Sequence, residues 1–222
     1  MPRIARIVVP NYPHHITQRG NRRQNTFFTD DDYKQYLKML SSSCKKGGVQ
    51  IWGYCLMPNH VHIIAVPQET GSLRLAIGEA HRRYTRMINF RYGWRGHLWQ
   101  ARFSSFVMDE KYLLAAARYV ELNPVKSGLS ATPEEYPWSS AKAHIQQKDD
   151  ILVKVQPLLD LVDDWKVFLS LLTSEKDKNH LLQHERTGRP LGSDSFIEKL
   201  EEKTERVLRK LKPGPKTRNI TN

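Results

Sequence analysis

Two short apolar runs, residues 49–56 and 60–66, lie either side of Met57-Pro58-Asn59, and this arrangement limits what the chain can become. Each run is rich in β-branched and aromatic residues and too short for an ordinary helix, so both read as strands joined by a tight connection. The second strand carries His60-Val61-His62. Side chains alternate along a strand, so both imidazoles leave one face while Val61, Ile63 and Ala65 point into the other. Two histidines at this spacing make a bidentate site for a cation whose identity the spacing does not encode. The plainer reading is a pair of histidines on a polar sheet face.

The surrounding pattern supplies the rest of a sheet. Residues 3–9 are rich in β-branched side chains and stop at Pro10, and residues 14–19 continue as a short extended piece before the polar turn Gly20-Asn21-Arg22-Arg23-Gln24. Thr29 caps a helix whose first turn holds Asp30, Asp31 and Asp32, where carboxylates meet the positive end of the helix dipole. Tyr33, Leu37, Leu40 and Cys44 share one face of it, and Gly47-Gly48 ends it. A second helix over 72–90 puts Leu73, Ile77, Ala80, Tyr84 and Met87 on one face and Arg82, Arg83 and Arg86 largely off it. Residues 93–107 suit a further strand, and a helix opened by Asp109 runs towards Asn123, where Pro124 bars its continuation.

Strand, helix, strand, strand, helix, strand is the split βαβ order. The expected fold class is therefore α+β: a ferredoxin-like (RRM-like) antiparallel sheet with helices on one face and the other face open to a ligand. Beyond residue 145 a mainly helical C-terminal extension is expected. It comprises a helical stretch over 157–172, a helix capped at Ser174, a loop over 187–192, and a helix opened by Ser195 and Glu198 as a capping box.

Charge follows this division. The 222 residues carry 35 basic and 23 acidic side chains, a formal +12. Residues 1–143 hold 20 basic and 10 acidic groups, residues 144–202 hold 8 and 12, and residues 203–222 hold 7 and 1. An anionic partner is implied, and nucleic acid is the usual one. Two cysteines exclude a disulfide scaffold or a cysteine zinc cage. No apolar run approaches the roughly 20 residues of a membrane span, and no signal peptide is visible, so a cytoplasmic, nucleoid-associated protein is expected.

The helix ending at Asn123 carries Tyr112, Ala116, Tyr119 and Asn123 on one stripe, less greasy than an ordinary buried stripe. With a cation on His60 and His62, Tyr119 is placed to attack phosphorus. A phenol of pKa about 10 needs nearby positive charge or an activated phosphate to do so. Mg²⁺ or Mn²⁺ suits the task, with Asn123 offering an oxygen ligand. A covalent phosphotyrosine conserves the phosphodiester bond energy, which fits strand transfer better than hydrolysis. Tyr112 is the rival nucleophile. A zinc hydrolase is less well supported, because there is no H-E-x-x-H and Glu121 lies on a different helical face from Tyr119.

Met57-Pro58-Asn59-His60-Val61-His62, followed by Arg118-Tyr119-Val120-Glu121-Leu122-Asn123-Pro124-Val125-Lys126-Ser127-Gly128-Leu129, resembles the HUH-type single-tyrosine transposases of the IS200/IS605 group. Within it the chain is similar to the REP-associated tyrosine transposases, which His14-His15-Ile16-Thr17-Gln18-Arg19-Gly20-Asn21 and Leu98-Trp99-Gln100-Ala101-Arg102-Phe103 also resemble. The resemblance implies a nuclease domain over residues 1–145 acting on single-stranded DNA with hairpin repeats. It implies Tyr119 as nucleophile, forming a 5′-phosphotyrosine and freeing a 3′-OH, with His60 and His62 as metal ligands. Asn123 stands where insertion-sequence relatives use Gln and keeps the amide oxygen. Residues 146–222 are expected to add accessory DNA binding. A monomer and a homodimer both remain open, and the alternative function is a noncatalytic nucleic-acid-binding regulator on the same sheet.

Candidate DNA contacts are Arg19, Arg22 and Arg23 in one loop, Arg82, Arg83 and Arg86 on the second helix, Arg102, and the tail residues Arg206, Arg209, Lys210 and Lys212. Trp99 and Phe103 either stack on unpaired bases or pack in the core. His14 and His15 either join the site or face solvent. The remaining histidines, at 81, 97, 144, 180 and 184, read as ordinary.

Overall fold

The computed structural model describes residues 5–171 and 174–209. Four strands, β1 (His14–Arg19), β2 (Val49–Met57), β3 (His60–Pro67) and β4 (Ser104–Val107), form one antiparallel sheet in the order β2-β3-β1-β4. Helix α1 (Asp30–Gly47) connects β1 to β2, and α2 (Glu79–Tyr92) connects β3 to β4, which is the ferredoxin-like order. Then follow α3 (Glu110–Glu121), α4 (Asn123–Lys126), α5 (Ala141–Ile145), α6 (Gln156–Leu159), α7 (Trp165–Ser170), α8 (Glu175–Thr187) and α9 (Asp194–Thr204).

Local chemistry sets these boundaries. The Thr29 hydroxyl accepts from Asp32 N–H while the Asp32 carboxylate accepts from Thr29 N–H, so two orphan donors of α1 are satisfied reciprocally. Gly48 ends α1 at φ +63°, a conformation that costs glycine little. A π-helical turn, Arg74–Gly78, leads into α2, so the helical stretch expected over 72–90 is unbroken and carries a π turn near its start. Tyr36, Leu40, Ile77, Ala80 and Tyr84 of this layer pack on Ile16, Leu56, Val61, Ile63 and Ala65 of the sheet.

The second sheet face is not open, contrary to expectation. Cys55, Met57, Ile64 and Phe106 pack against Leu113, Ala116, Ala117 and Val120 of α3, joined by Leu158, Trp165, Phe168, Leu181 and Leu191 from the later chain. The apolar side of α3 has to leave water somewhere, and this is the uncovered face. Trp165 also donates its indole N–H to the buried Glu121 carboxylate (2.7 Å), which takes further hydrogen bonds from Ser140 (2.6 Å) and His144 (2.7 Å). Asp109 caps α3 through Tyr112 N–H with one oxygen and accepts from Ser193 N–H with the other (2.9 Å).

Several other expectations shift. Residues 5–9 are not a strand; Ile7 and Val9 instead pack with Val107, Leu200 and Leu208. Most of 93–103 is loop, because Gly93 and Gly96 take positive φ and the chain hydrogen-bonds to β1 and its turn through Gln100 N–H to Arg19 O and Asn21 N–H to Leu98 O. The stretch 157–172 breaks into α6 and α7, and its last residue lies outside the described residues. Ser193, not Ser195, caps α9, because its hydroxyl is the one that accepts from Phe196 N–H (3.2 Å). Among the described residues no helix is long and apolar enough to cross a membrane.

Candidate active site

The β1–β3 register decides which side chains meet. His62 lies opposite Thr17 and His60 opposite Arg19, so the alternation of β1 brings His15 onto the same face as the histidine pair. His15 Nε2 lies 3.1 Å from His62 Nδ1, and the rings stack at 5.3 Å and 16°. The Tyr119 ring from α3 stands edge-on to His62 at 5.4 Å and 89°, and to His15 at 6.4 Å. His60 and His62 are 4.9 Å apart between ring centroids. His14, on the opposite face, is a packing residue: its Nδ1–H donates to Tyr12 O (2.8 Å) and its Nε2 accepts from Val9 N–H (3.2 Å).

Burial keeps these imidazoles neutral. It pushes His15 down to about 3 and His60 to about 4, the Arg19 charge adding to the effect on His60. His62 is pushed well below its ordinary value by burial, then by His60, His15 and Arg19. Burial also raises the Tyr119 phenol; the Asn123 side chain and Arg19 pull it back down, and Glu185 opposes them.

Hydrogen bonds fix how the histidine pair presents itself. His60 Nδ1 is 2.6 Å from Asn59 Oδ1, and Asn59 Nδ2 donates to Arg23 O (3.1 Å), which settles the amide's orientation. His60 therefore donates from Nδ1 and keeps a lone pair on Nε2. His62 Nε2 is buried and without a hydrogen-bond partner, as is Asn123 Nδ2. Among the described residues no group of three or more His, Cys, Asp or Glu is arranged to hold a metal ion. The donor set that remains is two imidazole nitrogens and an amide, which fits a divalent cation that retains open positions for a substrate oxygen.

The hydroxyl of Tyr112, the rival nucleophile, is engaged by His180 Nδ1 at 2.9 Å. His144 and His184 are likewise held, by Glu121 and by Arg189 O, and His81 by Tyr36.

A groove of about 1060 Å³ runs between α2 and the loop before β4, lined by Arg6, Arg74, Arg82, Arg86, Arg95 and Arg102 and by no Asp or Glu. Arg82 of this wall is bound to Glu79, which lies outside the lining, and Arg83 is exposed outside the groove. The aromatic side chains exposed there are Phe90 and Trp94, which the sequence did not single out. Trp99 and Phe103 are buried: Trp99 packs against His81, Tyr84 and Tyr36, and Phe103 lies under the Arg6 guanidinium, so neither is a free stacking platform. Arg22 and Arg23 are exposed, at φ +52° and +63°. Arg206 donates to the backbone of residues 5 and 6, and Arg209 pairs with Glu198 and Glu201, so these two are tied down internally. Lys210 and Lys212 lie outside the described residues.

The chain is similar to several known proteins. A protein of Haemophilus influenzae Rd assigned as a REP-associated tyrosine transposase is 23% identical over 142 residues, covering 57% of this chain and 80% of the relative. The solved structure of a REP-associated tyrosine transposase bound to a REP hairpin superposes with a TM-score of 0.57 at 18% identity, covering 69% of this chain and 92% of the other, and shares the fold. The profile of the family described as "Transposase IS200 like" matches residues 8–123, a span that holds His15, the histidine pair, Tyr119 and Asn123. That span is more than half of the sequence, and the chain belongs to the IS200-like transposases.

Proposed function

We propose that this transposase is a metal-dependent single-stranded DNA endonuclease and strand transferase that acts on hairpin-forming repetitive extragenic palindromes through a 5′-phosphotyrosine intermediate. The observation that carries the reading is Tyr119 edge-on to His62, whose buried Nε2 has no partner. His60, His62 and Asn123 would hold Mg²⁺ or Mn²⁺. Withdrawal of charge from a phosphate oxygen is what such a cation supplies there.

Tyr119 supplies the nucleophile. Its oxygen bonds to phosphorus as the P–O3′ bond breaks; the phenol gives up its proton and the leaving oxygen takes one up as a 3′-OH. Rejoining is the reverse, with a 3′-OH displacing the tyrosine. Arg19, whose charge favours the phenolate, assists the attack.

Strand binding is assigned to the arginine groove, where Arg82, Arg86 and Arg102 meet phosphates and Trp94 meets a base, with Arg22 and Arg23 as further phosphate contacts. Residues 1–145 carry the chemistry and residues 146–222 add accessory DNA binding, while Trp165, Leu181 and Leu191 of that extension pack in the core that backs α3. The hairpin assignment is supported by the structural relative, which is bound to a REP hairpin. The site of action is the nucleoid.

The test is a denaturing-gel adduct assay on single-stranded REP hairpins with Mn²⁺ or Mg²⁺. A chelator-sensitive covalent adduct is expected from the wild type. No adduct, or one that survives Tyr119→Phe, would sink the reading.

A further inference from the structure

A neutral imidazole carries one N–H and one lone pair, so His62 can offer Nε2 to a cation only when its proton sits on Nδ1. The group facing that Nδ1 is Nε2 of His15, 3.1 Å away, and both rings are buried. Two arrangements satisfy this contact. In the first, His62 Nδ1–H donates to His15 Nε2, and His62 keeps the lone pair on its own Nε2. In the second, His15 Nε2–H donates to His62, whose Nε2 then carries the hydrogen and cannot ligate. Each arrangement strands one buried N–H, on His15 Nδ1 or on His62 Nε2, since neither atom has a partner. Neither therefore wins outright until something binds.

We infer that His15 is a positioning residue that accepts the Nδ1 proton of His62 and so directs His62 Nε2 to a divalent cation. The inference rests on the metal-dependent reading above. His15 is held for this role by its place on β1, by stacking on His62, and by the Phe106 ring edge-on at 5.3 Å. It completes a matched pair, because Asn59 accepts from Nδ1 of His60 in the same way. Both site histidines then present Nε2, each with its other nitrogen anchored by a neighbour.

The test needs no DNA cleavage. Mn²⁺ binding to the full chain is measured by electron paramagnetic resonance for wild type, His15→Gln and His15→Leu, with thermal melts alongside. Gln keeps an acceptor near the position of Nε2; Leu does not. Leu is expected to weaken Mn²⁺ affinity by about 10- to 100-fold, and Gln to recover most of the loss. In wild type saturated with Mg²⁺, ¹⁵N spectra should show both His15 and His62 protonated on Nδ1, a readout that stands even where His15→Leu fails to fold. Leu binding Mn²⁺ like wild type, Gln as weak as Leu, or a proton on His15 Nε2 in the Mg²⁺ form would each overturn the inference. If wild type binds no Mn²⁺ at all, the metal-dependent reading itself fails and the inference goes with it.

Discussion

Tyr119 and Glu121 sit two residues apart on α3 and point to opposite sides: the phenol stands over the histidine pair, while the carboxylate is buried among Ser140, His144 and Trp165. One face of the helix meets the histidine pair while the other is clamped. Glu121→Gln replaces an acceptor with a group that must also place an NH₂ among donors. It should cost roughly 2 to 3 kcal/mol of stability, seen as a lower urea midpoint. An unchanged midpoint would mean that the clamp contributes nothing to the hold on α3.

Tyr119→Phe and Tyr112→Phe should separate the two tyrosines. The first should abolish the covalent adduct and change stability by less than about 1 kcal/mol. The second should leave adduct formation within about twofold and lose about 1 kcal/mol with the His180 hydrogen bond. Adduct yield and melting temperature, measured on the same preparations, distinguish them.

Acid should destabilise the fold before the carboxylates titrate. Burial pushes His14 down to about 4 and, aided by Arg6, His81 to about 3, so both stay neutral when folded but charge near pH 6.5 when unfolded. The unfolded chain then binds more protons between pH 6.5 and about 4, and stability falls as pH drops through that window. Each group adds a slope of up to about 1.4 kcal/mol per pH unit. Urea midpoints at pH 7, 6 and 5 check this; a flat profile contradicts it, and His14→Gln should reduce the slope.

The arginine groove predicts a division of labour. Arg86→Ala should weaken single-stranded DNA binding and lower the slope of log affinity against log salt by about 0.7. Trp94→Ala should cost about 1 to 3 kcal/mol of binding with little change in that slope. Fluorescence anisotropy over a salt series reads both. Equal effects of the two variants on the slope would contradict the assignment.

Ending the chain after Arg209 removes Lys210, Lys212, Lys216 and Arg218 while sparing Leu208, which is buried against the N-terminal segment. This truncation should lower the salt slope without reducing adduct formation at low salt. A slope identical to that of the full chain would assign the terminal charge to solvent.

The element order was legible because each period has a local cause. Thr29 and Asp32 signalled the start of α1, and alternation in 60–66 put His60 and His62 on one face. His15 was ambiguous because its position depends on a register between strands separated by the whole of α1, which no local pattern encodes. Trp99 is buried while Trp94 is exposed, and only the course of the glycine-bent loop between them decides that. The closure of the second face was hidden for a related reason. Glu121, Trp165 and Leu191 look unremarkable in sequence until the extension is packed against α3 and the end of β4.

That packing gives the chain an order of assembly. A nascent polypeptide that has released only its first 145 residues has Tyr119 on a helix whose Glu121 still lacks the indole of Trp165, and whose apolar flank still lacks Leu181 and Leu191. Helix α3 gains its full set of packing partners only late in synthesis, when those residues have emerged from the ribosome. A product truncated at residue 145 would therefore hold α3, and with it Tyr119, less firmly than the longer chain.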